Sequence, residues 1–385
     1  MRRILARALL VCATLPFICV ASPGEEARER AIATFAQKDG AKIVIDPLLI
    51  EGEWQKAPFD PLPFTYTFDE IREKWPHLMR SLKIAYPSAD YLRERYTRFP
   101  EIMRELGYQD DDWEMHSLNV LEVWQAFFRG DFRKARDLGI RYGGYAQVPG
   151  VFAQLMQAMY LTPSEPVKQM LLQDAINRIQ AYAQAQPFLP GEQEFHKDYV
   201  IFRLGFAYAV GRLAEDVPVP VMLANGYAPM VINAANEAMA VDPDHALSLA
   251  LNAAFDANVI RRVGKTAGRM TFNAQPLNAS EIFTRAVELA GDMAIVRYEY
   301  ANSLLYMEQT GETEEAIRQL EAALATEPSY SMEALDRLYA QKRLEEVRAL
   351  QASGSGFRSF DRARRKHMER SGENLYCILL PPFQI

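Results

Sequence analysis

Cysteine is nearly missing from this chain of 385 residues, which has only Cys12, Cys19 and Cys377. The first two lie in an N-terminal stretch with the features of an export signal, so the mature chain keeps Cys377 alone and cannot form an internal disulfide. A disulfide-stapled fold is excluded, and a chain of this length must be held by its core. Histidine is scarce as well. His77, His116, His196, His245 and His367 are scattered, and none has the spacing of a metal-ligand pair. Basic charge is in deficit: 43 Lys and Arg stand against 50 Asp and Glu, and loss of a leader carrying Arg2, Arg3 and Arg7 takes the balance from −7 to 40 − 50 = −10. Such a chain is a poor partner for nucleic acid. Gly and Pro, 20 and 22 residues, follow no three-residue period, and with 49% hydrophobic and 24% charged residues the collagen-like and disordered classes are excluded.

Long apolar runs are also absent beyond the N-terminus. Arg2, Arg3 and Arg7 precede the run Ala8 to Ala21, which ends in Cys19-Val20-Ala21 before Ser22-Pro23-Gly24. This is the layout of a secretory signal peptide over residues 1–21, cleaved after Ala21. The run has 14 residues with Pro16 inside it, short of the ~20 of a membrane span, so an uncleaved anchor is the lesser alternative. The residues Leu15-Pro16-Phe17-Ile18 do not make Cys19 a lipoprotein signal. A soluble periplasmic protein is expected, without membrane contact apart from the signal.

Catalytic fingerprints are missing too. Gly264-Lys265-Thr266 ends like a phosphate-binding loop, but Val259 stands where the pattern needs Gly and no strand precedes it. Glu194-Phe195-His196-Lys197-Asp198 puts carboxylates near an imidazole, a run that at a helix start means capping and solvation. Asp110-Asp111-Asp112 lacks further oxygen ligands at defined offsets and reads as a solvated loop before Trp113. There is no Gly-x-Ser-x-Gly elbow. Neither catalysis nor a cofactor or metal is expected.

What is present is a recurring helical pair. In Ile295 to Pro328, Ala301 and Ala316 are small where two helix axes approach, Leu304 and Leu320 fill the groove, and Pro328 stops the second helix. The second helix recurs as Ala279-x3-Phe283-x2-Ala286, Val231-x3-Ala235-x2-Ala238 and Ala175-x3-Ile179-x2-Tyr182, and a further copy turns at Gly130 to Ala135. These segments resemble the tetratricopeptide repeat. The openings of the second helices fall at 135, 175, 231, 279 and 316, spaced 40, 56, 48 and 37 residues apart rather than the ~34 of the regular repeat. Insertions are therefore expected, the largest over Arg212 to Tyr227 and Val259 to Pro276. The resemblance covers residues 67–343. It is to divergent repeat proteins that proteobacteria export, most without an assigned function, and it implies an all-α solenoid more than an activity.

The repeat domain spans residues 68–343. Residues 22–67 read as a Pro-rich arm with a strand-like Ala41 to Ile45, and Phe68 to Leu106 as helical segments broken at Pro76, Pro87 and Pro100. Residues 344–385 read as a flexible linker at Ala352 to Gly356, a basic helix and an apolar tail that caps the array; touching acidic lipid or a partner is the basic helix's other use.

In the tetratricopeptide family the first helix of each unit lines a concave groove. Tyr298, Asn302 and Tyr306, at i, i+4 and i+8, would form a stripe there, with Phe202, Phe206 and Phe255 from other units making it apolar. The first expectation is a periplasmic interaction scaffold that holds another envelope protein or a peptide segment. The alternative is an accessory protein whose insertions close the groove over a hydrophobic small molecule, similar to repeat proteins that accompany solute-uptake systems. A closed, dry cavity lined by Phe202, Phe206 and Phe255 favours the second, and an open, wet groove with exposed Tyr298 and Tyr306 the first.

Overall fold

The computed structural model describes residues 47–59, 64–100, 112–185, 193–307 and 311–377. The export signal with Ala21, the strand-like Ala41 to Ile45 and the last eight residues of the tail lie outside them. Every regular element described is a helix, and a single bridge, Ser164 with Glu373, is the one extended pairing among the described residues. None of the described helices is long and apolar enough to cross a membrane.

The helices start and stop where local chemistry dictates. After a single turn α1 (Pro47–Ile50), α2 (Phe68–Leu78) opens on a capping box in which Thr67 Oγ1 accepts from the Glu70 amide and Glu70 Oε2 accepts from the Thr67 amide at 2.7 Å. Pro76 does not break this helix. It sits in the last turn, two residues before the end, and the helix runs to Leu78. Next come α3 (Ala89–Arg98), capped by Ser88, and α4 (Trp113–Arg129), capped by Asp112, whose Oδ1 accepts from the Met115 amide at 3.0 Å. Residues 110 and 111 lie outside the described set.

From α4 onward, helices neighbouring in sequence pack in succession. α5 (Phe132–Tyr142) packs on α4 and on α6 (Gln147–Met156), which continues as a π-turn over Gln157–Leu161. α7 (Glu165–Ala185) lies between α6 and α8 (Gln193–Asp216), and α10 (Tyr227–Val241) between α8 and α11 (Ala246–Val263). α13 (Pro276–Ala290) joins α11 to α14 (Ala294–Met307), and α15 (Glu312–Leu324) joins α14 to α16 (Ser331–Ser353). The alanines read from the sequence as close contacts, Ala175, Ala279, Ala301 and Ala316, are all buried. The stretches Arg212 to Tyr227 and Val259 to Pro276, expected as insertions, are largely helical: α8 and α11 extend to Asp216 and Val263, and the short α9 (Val219–Ala224) and α12 (Lys265–Phe272) follow them.

The chain returns to its start. α16 packs on α4 and on α14, and Phe127 and Phe128 of α4 hold the Tyr330 ring at centroid distances of 6.2 and 5.4 Å. Tyr66 donates to the Ser329 carbonyl at 2.6 Å, and Arg80 pairs with Glu333 at 2.6 Å. Gly130, in the left-handed region at φ 87°, lies in this seam, where a Cβ would come within 2.7 Å of Ser331 Oγ. The arm is held against α5: Glu51 bonds Arg133 and Arg136, whose guanidiniums lie 5.6 Å from the Trp54 ring.

The expected flexible linker is a capped turn. α16 runs through Ser353, Gly354 terminates it at φ 68°, and α17 (Phe357–Ser371) begins almost at once. The basic helix is docked by two buried ion pairs: its Asp361 Oδ1 meets Arg261 Nη2 of α11 at 2.7 Å, and its Arg364 Nη2 meets Glu346 Oε1 at 2.5 Å, while Arg362, Lys366 and Arg370 stay exposed. Beyond it Asn374 bonds the Thr162 and Pro163 carbonyls at 2.8 and 2.6 Å, and Cys377 is buried against Tyr160.

Candidate functional site

The stripe expected on an open groove lies inside the protein. Tyr298 meets Tyr339 edge-on at 6.1 Å, Asn302 is 3% exposed, and Tyr306 packs on Phe357 at 6.0 Å beneath the Arg261 guanidinium at 4.4 Å. α16 and α17 supply these partners, so the chain's own C-terminal part covers that face of α14. Phe202 is buried beside Tyr182 and near Arg95, and Phe206 lies under the Arg203 guanidinium at 5.5 Å. Neither lines the apolar cavity that adjoins α8. Phe255 does, with its ring edge-on to Phe272 at 6.5 Å.

That cavity, of about 170 Å³, lies between α6, α8, α11, α14 and α16. Helical spacing builds its wall. Phe152, Met156 and Tyr160 follow at i, i+4 and i+8 on α6 and its π-turn, while Leu204, Tyr208 and Arg212 do the same on α8, and Leu247, Leu251 and Phe255 on α11. Met222 of α9 and Phe272 of α12 add to the lining. Gly211 faces the space: a Cβ there would meet only Val231 Cγ2, at 3.8 Å. A mid-helix glycine with room for a side chain costs ~1 kcal/mol relative to alanine and keeps the volume open.

One end is polar. Arg212 Nη1 donates to Glu215 Oε1 at 3.0 Å and its Nη2 to Glu299 Oε1, while its guanidinium lies 5.0 Å from the Tyr208 ring. Burial opposes the charge of Arg212, but Glu215 and Glu299 outweigh that and raise its pKa. Asp336 of α16 accepts a hydrogen bond from Tyr160 Oη. Burial in this apolar setting pushes the Asp336 carboxyl up to about 8, against the opposing hydrogen bond from Tyr160, with Glu333 and Glu299 adding repulsion. Burial also raises Glu299, partly offset by Arg212, and pushes Tyr208 up to about 12. Tyr208 and Glu299 keep accessible surface although they sit deep in the protein. That surface belongs to the cavity.

No family model, curated protein or solved structure matches this chain.

The site therefore has to be read from its own chemistry. Asp336 can hold or release a proton near neutral pH, yet the lining residues include no Ser, Thr, Cys, Lys or His to act as a nucleophile beside it. Among the described residues no group of His, Cys, Asp and Glu could hold a metal ion. The arrangement can take up an apolar body and give its head hydrogen bonds. Sequence reasoning missed Tyr160, Tyr208, Arg212, Glu299 and Asp336. For Tyr208 and Arg212 a signal existed, two polar side chains in the register of Leu204. For Asp336 there was none, because its partner Tyr160 is 176 residues away.

Asp198 corrects another expectation. It is not solvated: it is 1% exposed, and its carboxylate accepts from Tyr91 Oη at 2.5 Å, Tyr145 Oη at 2.7 Å and Arg95. This knot ties α3 and the turn before α6 to the start of α8. The side chains of 194–196 lie outside the described residues.

Proposed function

We propose that the protein is a divergent tetratricopeptide-like helical array, exported to the periplasm, that binds a small hydrophobic molecule in its central cavity without transforming it. The succession of paired helices supports the repeat reading, and the export signal of residues 1–21 supports the compartment. One observation carries the ligand reading: a cavity walled by Phe152, Phe255 and Phe272, with hydrogen-bonding groups gathered at one end and a glycine keeping room in a helix wall. The insertions Arg212 to Tyr227 and Val259 to Pro276 contribute to that wall, the part assigned to them in the accessory-protein alternative. The scaffold reading relied on Tyr298, Asn302 and Tyr306 as an open surface, and their burial weakens it.

Native mass spectrometry of the chain taken gently from its own cell tests this reading. A discrete small added mass on the wild type that is missing from Gly211→Leu, whose side chain fills the cavity, is the expected result. Identical spectra for two well-folded proteins, or a second polypeptide at fixed stoichiometry instead of a small mass, would overturn it.

A further inference from the structure

The polar end of the cavity restricts which ligand it can hold, if the cavity is indeed a ligand site. We propose that it selects a small aromatic or alkyl amine in its protonated form, with the ammonium group taken up between Glu299 and Asp336. Size sets the first limit. A cavity of about 170 Å³ compares with one of ~150 Å³ that holds benzene, so the ligand is a single ring or a short chain.

Charge sets the second. Three carboxyls, Glu215, Glu299 and Asp336, line the cavity with Arg212 and Arg262. Arg212 is engaged by Glu215 and Glu299, and Arg262 donates to the Glu215 carbonyl at 2.5 Å and to the Val217 carbonyl. Both guanidiniums are thus already used by the protein. By contrast, Oδ2 of Asp336 and Oε2 of Glu299 accept no hydrogen bond among the described residues. A carboxylate ligand would bring negative charge against carboxyls with no cation to receive it. An alcohol offers one donor, whereas an ammonium offers three and a charge.

The groups facing Asp336 are Tyr160 from the π-turn after α6, Tyr208 and Arg212 from α8, Glu299 from α14, and Glu333 and Tyr330 from its own helix and cap, with Arg80 paired to Glu333 behind them. In the empty protein burial favours the protonated form of the Asp336 carboxyl near neutral pH. An arriving ammonium replaces that proton as the source of compensation, so binding releases a proton to the buffer.

The experiment is titration calorimetry of the full chain with benzylamine, benzyl alcohol and benzoate, at about pH 7 in buffers of different ionisation enthalpy. Benzylamine is expected to bind at least about tenfold more tightly than benzyl alcohol, with proton release, and benzoate not measurably. In Asp336→Asn the preference for the amine should collapse and the proton release vanish. If benzyl alcohol binds as tightly as benzylamine, or benzoate binds best, the amine selection is wrong while the cavity remains a ligand site. If none of the three binds a well-folded protein, both the selection and the ligand site are overturned.

Discussion

Replacing Asp336 by Asn should stabilise the protein at neutral pH and flatten its stability profile. The folded carboxyl binds its proton up to about 8, against 3.8 for an ordinary aspartate. Between those values the native state holds a proton that the unfolded state has lost, so stability falls as pH rises from about 4 towards 8. At pH 7 the displaced pKa corresponds to an upper limit of ~4 kcal/mol, at 1.36 kcal/mol per pKa unit. Side-chain relaxation and water reaching the cavity reduce this to roughly 2 kcal/mol. Asn keeps an oxygen to accept from Tyr160 and never ionises, so it escapes that cost. Urea unfolding of both proteins between about pH 6 and 8 reads the difference directly, with an unchanged m-value as the condition for comparing midpoints. The advantage of Asn should already be present at the acid end of this window and grow steadily with pH, as the distance from 3.8 widens. Parallel profiles, or an advantage that shrinks as pH rises, would refute the account of Asp336.

Other substitutions probe the frame that holds the cavity. Asp198→Ala leaves Arg95 buried without its carboxylate and should cost about 3–5 kcal/mol in urea unfolding, most of it recovered when Arg95→Leu is added; a loss under about 1 kcal/mol would show that the knot is unimportant. Ala301→Leu overpacks the contact of α14 with α15 and should lower stability by ~1–3 kcal/mol, and an unchanged melt would contradict that packing. Gly211→Ala should stabilise by up to ~1 kcal/mol, because the added methyl enters open space in a helix. His116 and His245 are held neutral, burial lowering each to about 4 from 6.5. Their contribution is complete above 6.5 and is lost as pH falls towards 4, so His116→Asn or His245→Asn should reduce the acid sensitivity of unfolding in that window.

Local signals carried far in this sequence, and long-range closure did not. Ala301, Ala316 and Leu320 announced a helix pair because the residues that touch are separated by one turn and one loop, a distance over which periodicity is informative. The return of α16 to α4 was not legible. It rests on Phe127 and Phe128 with Tyr330, flanked by Tyr66 with Ser329, Arg80 with Glu333 and Tyr160 with Asp336, pairs separated by 176 to 263 residues that carry no mark in the chain. Once that closure exists, Tyr298 and Tyr306 change from surface to core, and Asp336, an ordinary aspartate on a mixed helix, becomes a raised acid at the end of an apolar cavity. The arginines of α17 show the converse. Two of them enter ion pairs: Arg364 faces Glu346 and Arg365 faces Asp361, with Asp361 also receiving Arg261, so the helix docks by charge as well as by Phe357 and Phe360, while Arg362 and Arg370 stay exposed.

The most direct test of the central claim is a crystal of the protein under xenon pressure, since xenon enters apolar cavities that lack a bound occupant. The account predicts a strong xenon peak among Phe152, Leu204 and Phe255, and its loss in Gly211→Leu. Density showing those side chains collapsed onto one another, with xenon elsewhere or nowhere, would contradict it.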